Sequence, residues 1–239
     1  LLVGAGLSAL SLFPLSLLGQ APSRPSDASR APRGAFPLLP IALMVGYVYL
    51  RHAGWATCQA FCNAYMDADL QLSTSSIGLI TSAGQFLAML ASLITPRLAA
   101  RRGNEWTMVI TTLGIALSLV LMGLFAHWSA AGLGRVAILV LSAAWMPALQ
   151  VFQMELVEED WRSLAYGAIS MAMGFGFATT SFGGGYVISA VRYRILFLIG
   201  AGLSVAASLV IGAIARREAA RRLTSPTDRS SMESRTAPS

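Results

Sequence analysis

Seven long apolar stretches, each closed by a polar break, constrain this chain more than any other feature; they cover about 1–19, 36–65, 75–98, 106–126, 134–154, 163–190 and 193–215. A helix crosses roughly 30 Å of hydrocarbon in about 20 residues. Every backbone N–H and C=O in that layer must find its partner within the protein, so long runs without strict alternation read as helices, not barrel strands. The expected fold class is an all-α integral membrane protein. It consists of a six-helix transmembrane bundle over 36–215, preceded by a truncated seventh span at 1–19 and a linker at 20–35. The 55% hydrophobic and 12% charged content, with a mean hydropathy of +0.63, leaves no soluble fold able to hide so much apolar surface.

The linker, QAPSRPSDASRAPRG, is rich in Pro, Ser and Arg and has too little apolar surface to fold alone. The segment 216–239 begins as a basic helix end and passes into a Ser, Thr and Pro-rich tail expected to be disordered. All 17 basic residues are arginines. With alternating spans, Arg135, Arg192 and Arg194 fall on one side, Arg51 lies within a span, and all the others share the opposite side. The positive-inside rule then puts the linker, the loop near Arg101 and the tail in the cytoplasm. This pattern of short clusters accounts for the net charge of +6 without nucleic acid as a partner. The chain opens inside an apolar run that lacks a basic n-region, which reads as truncation rather than as a signal peptide. Cys58 and Cys62, four apart, read as small buried residues on one helical face.

Polar residues inside the spans mark the candidate site. Tyr47, Arg51, Trp55, Gln59 and Asn63 recur every four residues along one face of the second span. Arg51 lies roughly 22 Å of helical rise beyond Phe36, past the midplane. A charge there costs about 2.5–3.5 kcal/mol, so it should face a watery cavity or a partner, or else snorkel to the outer interface with Trp55 as anchor. His52 should point elsewhere on the helix. Gln85, Trp145, Gln150 and Gln153 are further candidates for a shared cavity, with interhelical hydrogen bonding as their alternative role. No Asp or Glu sits near the middle of a span, and with only His52 and His127 no metal site or other cofactor is expected.

Two connections and a glycine pattern carry a resemblance. Pro96-Arg97-Leu98-Ala99-Ala100-Arg101-Arg102-Gly103-Asn104 is similar to the loop G-x-x-x-D-[RK]-x-G-[RK] of the major facilitator superfamily, with Arg101 and Gly103 matching, Pro96 in place of Gly and Ala100 in place of the acid. Glu155-Leu156-Val157-Glu158-Glu159-Asp160-Trp161-Arg162 resembles that family's acidic-then-Arg entry to its eleventh helix, where Arg162 can pair with Glu155, Glu158 or Glu159. Gly167, Gly174, Gly176 and Gly183 to Gly185 make the sixth span Gly-rich, as in helices that pack closely or bend.

The resemblance covers essentially the whole chain. It implies the C-terminal half of a transporter, from the end of helix six through helix twelve, moving a small solute by secondary active transport with alternating access. Its partners would be that solute, the lipid bilayer and a missing N-terminal half, with a coupling ion left open and a multi-pass plasma-membrane location expected. It further implies an inverted relation between spans two to four and five to seven, although no internal repetition is evident in the sequence. The alternatives are a non-catalytic structural or interaction subunit, or an intramembrane enzyme. Against the enzyme, there is no G-x-S-x-G elbow and no H-E-x-x-H pair.

Overall fold

The computed structural model describes residues 38–157 and 159–224, the side chains of 96–102 and 217–224 excepted. The described helices belong to one compact unit. The partial span at 1–19, the linker and the end of the tail lie outside the described residues. Among those described there are six α-helices and no strand: α1 Leu38–Ala68, α2 Thr74–Arg102, α3 Asn104–Leu124, α4 Trp128–Leu156, α5 Arg162–Ala190 and α6 Tyr193–Thr224. A 3-10 turn, Glu159–Trp161, leads into α5. By length and apolar composition alone, α2, α3, α4 and α6 can cross a membrane. The other two are less apolar along their length: α1 carries Arg51, His52, Gln59 and Asn63, and in α5 glycines and hydroxyl residues take the place of larger apolar side chains.

Three helix ends differ from the expected spans, each for a local reason. α2 runs on through 96–102, because Leu, Ala and Arg are strong helix formers. The expected loop is therefore mostly helix, and Gly103, at φ 88°, makes the turn into α3. α4 begins six residues before the expected start at 134, with the His127 ring accepting the Ser129 N–H at 3.3 Å. A Cβ at Gly134 would meet Met122 Cγ at 2.6 Å, so its bareness lets α3 approach. α6 continues to Thr224, so the segment from Arg216 begins as helix.

The helices pack in a symmetric order. α3 packs on α6, each of these on one further helix (α3 on α4, α6 on α1), and the flanks are α2 on α4 and α5 on α1. Exchanging α1 with α4, α2 with α5 and α3 with α6 maps this pattern onto itself. Close contacts agree residue by residue. Gly84 of α2 lies against Val136, the residue after Arg135, while Gly176 of α5 lies against His52, the residue after Arg51. Gly114 of α3 faces Leu141, six beyond Arg135, while Gly200 of α6 faces Thr57, six beyond Arg51. Ser118 Oγ donates to the Gly114 carbonyl at 2.8 Å and Ser204 Oγ to the Gly200 carbonyl at 2.9 Å. The implied inverted relation is thus present in the packing, and Gly-x-x-Leu-Ser at 114–118 and 200–204 is its trace in sequence.

Candidate functional site

Arg51 is the fourteenth residue of the 31 in α1, close to the middle of the helix, and it is 1% exposed. Snorkelling to an interface is therefore not its conformation. Its guanidinium carbon stacks 3.7 Å above the centroid of Trp145 on α4, and Nη2 donates to Ser142 Oγ at 3.3 Å. A short relay fixes the stacking plate. Trp145 Nε1 donates to Tyr47 Oη at 2.7 Å; the Tyr47 hydroxyl is 3.0 Å from Thr112 Oγ1, which itself donates to the Met108 carbonyl at 2.7 Å. The Thr112 hydrogen is spent on that carbonyl, so Tyr47 is the donor to Thr112. A desolvated stack is worth about 2 kcal/mol, which offsets most of the cost of a central charge. Neither stack nor bond neutralises Arg51, and its Nε is buried with no partner among the described residues.

His52 does not point elsewhere. One step along the helix from Arg51, its ring lies 5.3 Å from that of Trp145 and 5.5 Å from that of Trp55. Trp55, half-buried, also meets Phe177 of α5 at 6.2 Å. Arg51, Trp55 and Trp145 therefore form one aromatic and cationic cluster between α1, α4 and α5.

The sequence reading missed a second buried arginine. Arg135, expected at the outer side of the membrane, lies one turn or more inside α4 and is 4% exposed. Its Nη1 donates to Gln59 Oε1 at 2.9 Å and reaches the Cys58 carbonyl at 3.4 Å and Sγ at 3.7 Å, while its Nε has no partner among the described residues. Arg51 reaches Ser142, seven residues after Arg135, and Arg135 reaches Cys58, seven residues after Arg51. The two arginines thus occupy equivalent positions across an antiparallel α1–α4 seam. The sequence signal was a spacing of seven between Arg135 and Ser142, with Trp145 three further on, which forms one helical stripe.

The remaining candidates lie apart from this seam. Gln85 and Gln150 are exposed and line a cavity of about 480 Å³ between α2 and α4, together with Ser92 and Met146. Gln153 is buried. Glu155 and Arg162 are exposed, and among the described residues no salt bridge joins Arg162 to Glu155 or Glu159. Glu158 and the side chain of Arg101 lie outside the described residues. Among the described residues, no cluster of three or more His, Cys, Asp or Glu side chains could hold a metal.

A family description, the Major Facilitator Superfamily, matches residues 43–237, most of the chain and all six helices. The chain belongs to the major facilitator superfamily. The fold agrees: the human organic anion transporter MFSD10 (TETRAN) superposes with a TM-score of 0.63 at 15% identity, over 76% of this chain and 43% of that one. A bacterial homologue of the iron transporter ferroportin, in its outward-facing state, gives 0.55 at 20% identity, over 76% and 48%. This superfamily chain spans less than half the length of either structure. No curated protein matches it in sequence. Membership makes it an integral multi-pass membrane protein of a transporter family.

Proposed function

We propose that this chain is one half of a secondary active transporter that moves a small anionic solute by alternating access, and that all six described helices cross the bilayer. The observation that carries this reading is the α1–α4 seam. Two guanidiniums, each at least 96% buried and each with an unpartnered Nε, lie there without a carboxylate among the described residues to neutralise them. Buried charge is tolerated when paired, so the seam is short of negative charge that a solute can supply. The described acids sit at helix ends or in connections, as with Asp67, Glu105 and Glu155. The human structural neighbour is an organic anion transporter, which agrees with this chemistry. Arg51, with Trp145 as plate and Trp55 alongside, orients the anion; Gln59 works through Arg135, and Gln85 and Gln150 line the facing groove. Arg101, Gly103, Glu155 and Arg162 belong to the cytoplasmic connections that shape the moving halves.

The test is uptake by proteoliposomes of the complete transporter, using anionic solutes against size-matched cations. Anion uptake lost in Arg51→Gln is the expected result; cation uptake that Arg51→Gln leaves untouched would overturn the reading. Vesicles holding residues 1–239 alone should show no uptake, since the second half of the cavity is missing. For the cytoplasmic assignment, an impermeant thiol reagent on intact cells should label a cysteine placed at Ser129 and spare one at Ser225.

A further inference from the structure

The α3–α6 seam ends differently on its two faces. Where α3 ends and α6 begins, Arg194 closes it: Nε donates to the Gly123 carbonyl at 2.8 Å and Nη2 bonds the Leu124 carbonyl. These are two of the carbonyls that a helix end leaves without partners. Where α3 begins and α6 ends, the seam is open. A cavity of about 530 Å³ lies there between Val109 and Leu113 on one wall and Leu209, Gly212 and Ala213 on the other. Its mouth is formed by Trp106 and Arg216, both exposed. Among the described residues Arg216 has no hydrogen bond or ion pair.

We infer that this groove seats an anionic phospholipid, with an acyl chain between α3 and α6 and the headgroup phosphate on Arg216. The shape and polarity fit a lipid entering from the side. Leu113 is 45% exposed and Leu209 70%, so the groove opens sideways on the bundle's outer surface rather than toward the buried arginines. From Leu209 to Arg216 the wall rises roughly 10 Å, and from Leu113 back to Trp106 it rises as much. Apolar wall thus gives way to an aromatic and a cation at one level, the order of hydrocarbon and interface in a bilayer. Leu209, Gly212, Ala213 and Arg216 lie on one helical stripe, so the charge continues the face that holds the chain. Basic pockets between transmembrane helices at such a level select anionic headgroups. Among the described residues the rim cation is unengaged and the lining holds no acid, which is why an anionic lipid fits better than a zwitterionic one. Ser208, the other polar lining residue, is already spent on the Val205 carbonyl at 2.7 Å.

The test uses the purified chain and native mass spectrometry of retained lipid, with phosphatidylglycerol and phosphatidylcholine of identical acyl chains. The parent should retain phosphatidylglycerol about fivefold better, the gain expected of one arginine at the membrane surface. Arg216→Gln should bring the two lipids level while keeping the chain folded. Gly212→Leu should lower retention of both, because nothing lies within 4 Å of an added Cβ at Gly212 and the new side chain fills the groove without a clash. Equal retention of both lipids by the parent overturns the proposal. So does an undiminished preference in Arg216→Gln, or full retention in Gly212→Leu. Displacement of phosphatidylglycerol by millimolar inorganic phosphate overturns it too, since the site would then read phosphate and not lipid. A chain that excludes both lipids and dimerises, with Gly212→Leu breaking the dimer, assigns the groove to a second copy and ends the proposal.

Discussion

Arg51 and Arg135 stand on the same backbone frame with different chemistry around them. Each reaches across the α1–α4 seam to the residue seven places beyond the other, and each keeps an unpartnered Nε. Around Arg51 the frame carries Tyr47 and Trp145, a plate held by hydrogen bonds as far as Thr112. At the corresponding places around Arg135 stand Ala131 and Phe61, and the guanidinium leans instead on the Gln59 amide. A repeat fixes where charge can be placed, and single side chains decide what each charge can do. The plate holds the face of the Arg51 guanidinium while Nη2 rests on Ser142, whereas the amide and the backbone carbonyl occupy Nη1 of Arg135.

The largest effect should come from removing both charges. In the complete transporter, Arg51→Gln with Arg135→Gln should cut anion binding about a hundredfold, near the product of the single losses, because about 10 Å of seam separates them. A double variant no weaker than Arg51→Gln alone would break the comparison by making Arg135 purely structural. Next comes Arg51→Gln by itself, expected to weaken binding about tenfold with membrane abundance unchanged, and Arg51→Lys should recover only part because a point ammonium lacks the planar fork. Wild-type binding in both would reduce Arg51 to a packing residue.

Packing within the repeat offers a third measurement. Gly176→Ala puts a Cβ 2.7 Å from the Tyr49 carbonyl oxygen, whereas one at Gly174 meets nothing within 4 Å. Thermal unfolding of the purified chain should show a loss of about 1–3 kcal/mol for the first and almost none for the second. Equal losses would mean that the α1–α5 contact is looser than described. The smallest effects belong to the acceptors. Ser142→Ala should cost about 0.5–1.5 kcal/mol. Cys58→Ala should cost less, since the carbonyl and Gln59 remain. A double-mutant cycle should couple Ser142→Ala to Arg51→Gln and not to Arg135→Gln.

The helices were legible because hydrocarbon demands long unbroken apolar runs, and five of the six helix starts fall within two residues of the expected spans. The exception mattered most. Starting that span at 134 put Arg135 at the outer side of the membrane; in the bundle the helix begins earlier, and the missing side chains of Gly132 and Gly134 admit Ile80 and Met122. The stripe through Arg51, Trp55 and Gln59 was readable from spacing alone. Which partners it meets was not, since Trp145 and Ser142 lie about ninety residues away and only the fold brings them near. The repeat stayed hidden for a related reason. It conserves contacts through small residues, and the large side chains have diverged around them.

The polarity of α1 also bears on how the protein is made. A translocon judges each helix as it emerges, and a central arginine with a neighbouring histidine counts against release into lipid. Ser142, the hydrogen-bond partner of Arg51, is synthesised 91 residues later. At 5–20 residues per second, that is a wait of roughly 5–20 s. During that time α1 has neither stacking plate nor acceptor and has to be sheltered by the insertion machinery. Nascent chains stopped before residue 142 should therefore leave α1 crosslinkable to the translocon, and chains that extend past α4 should not.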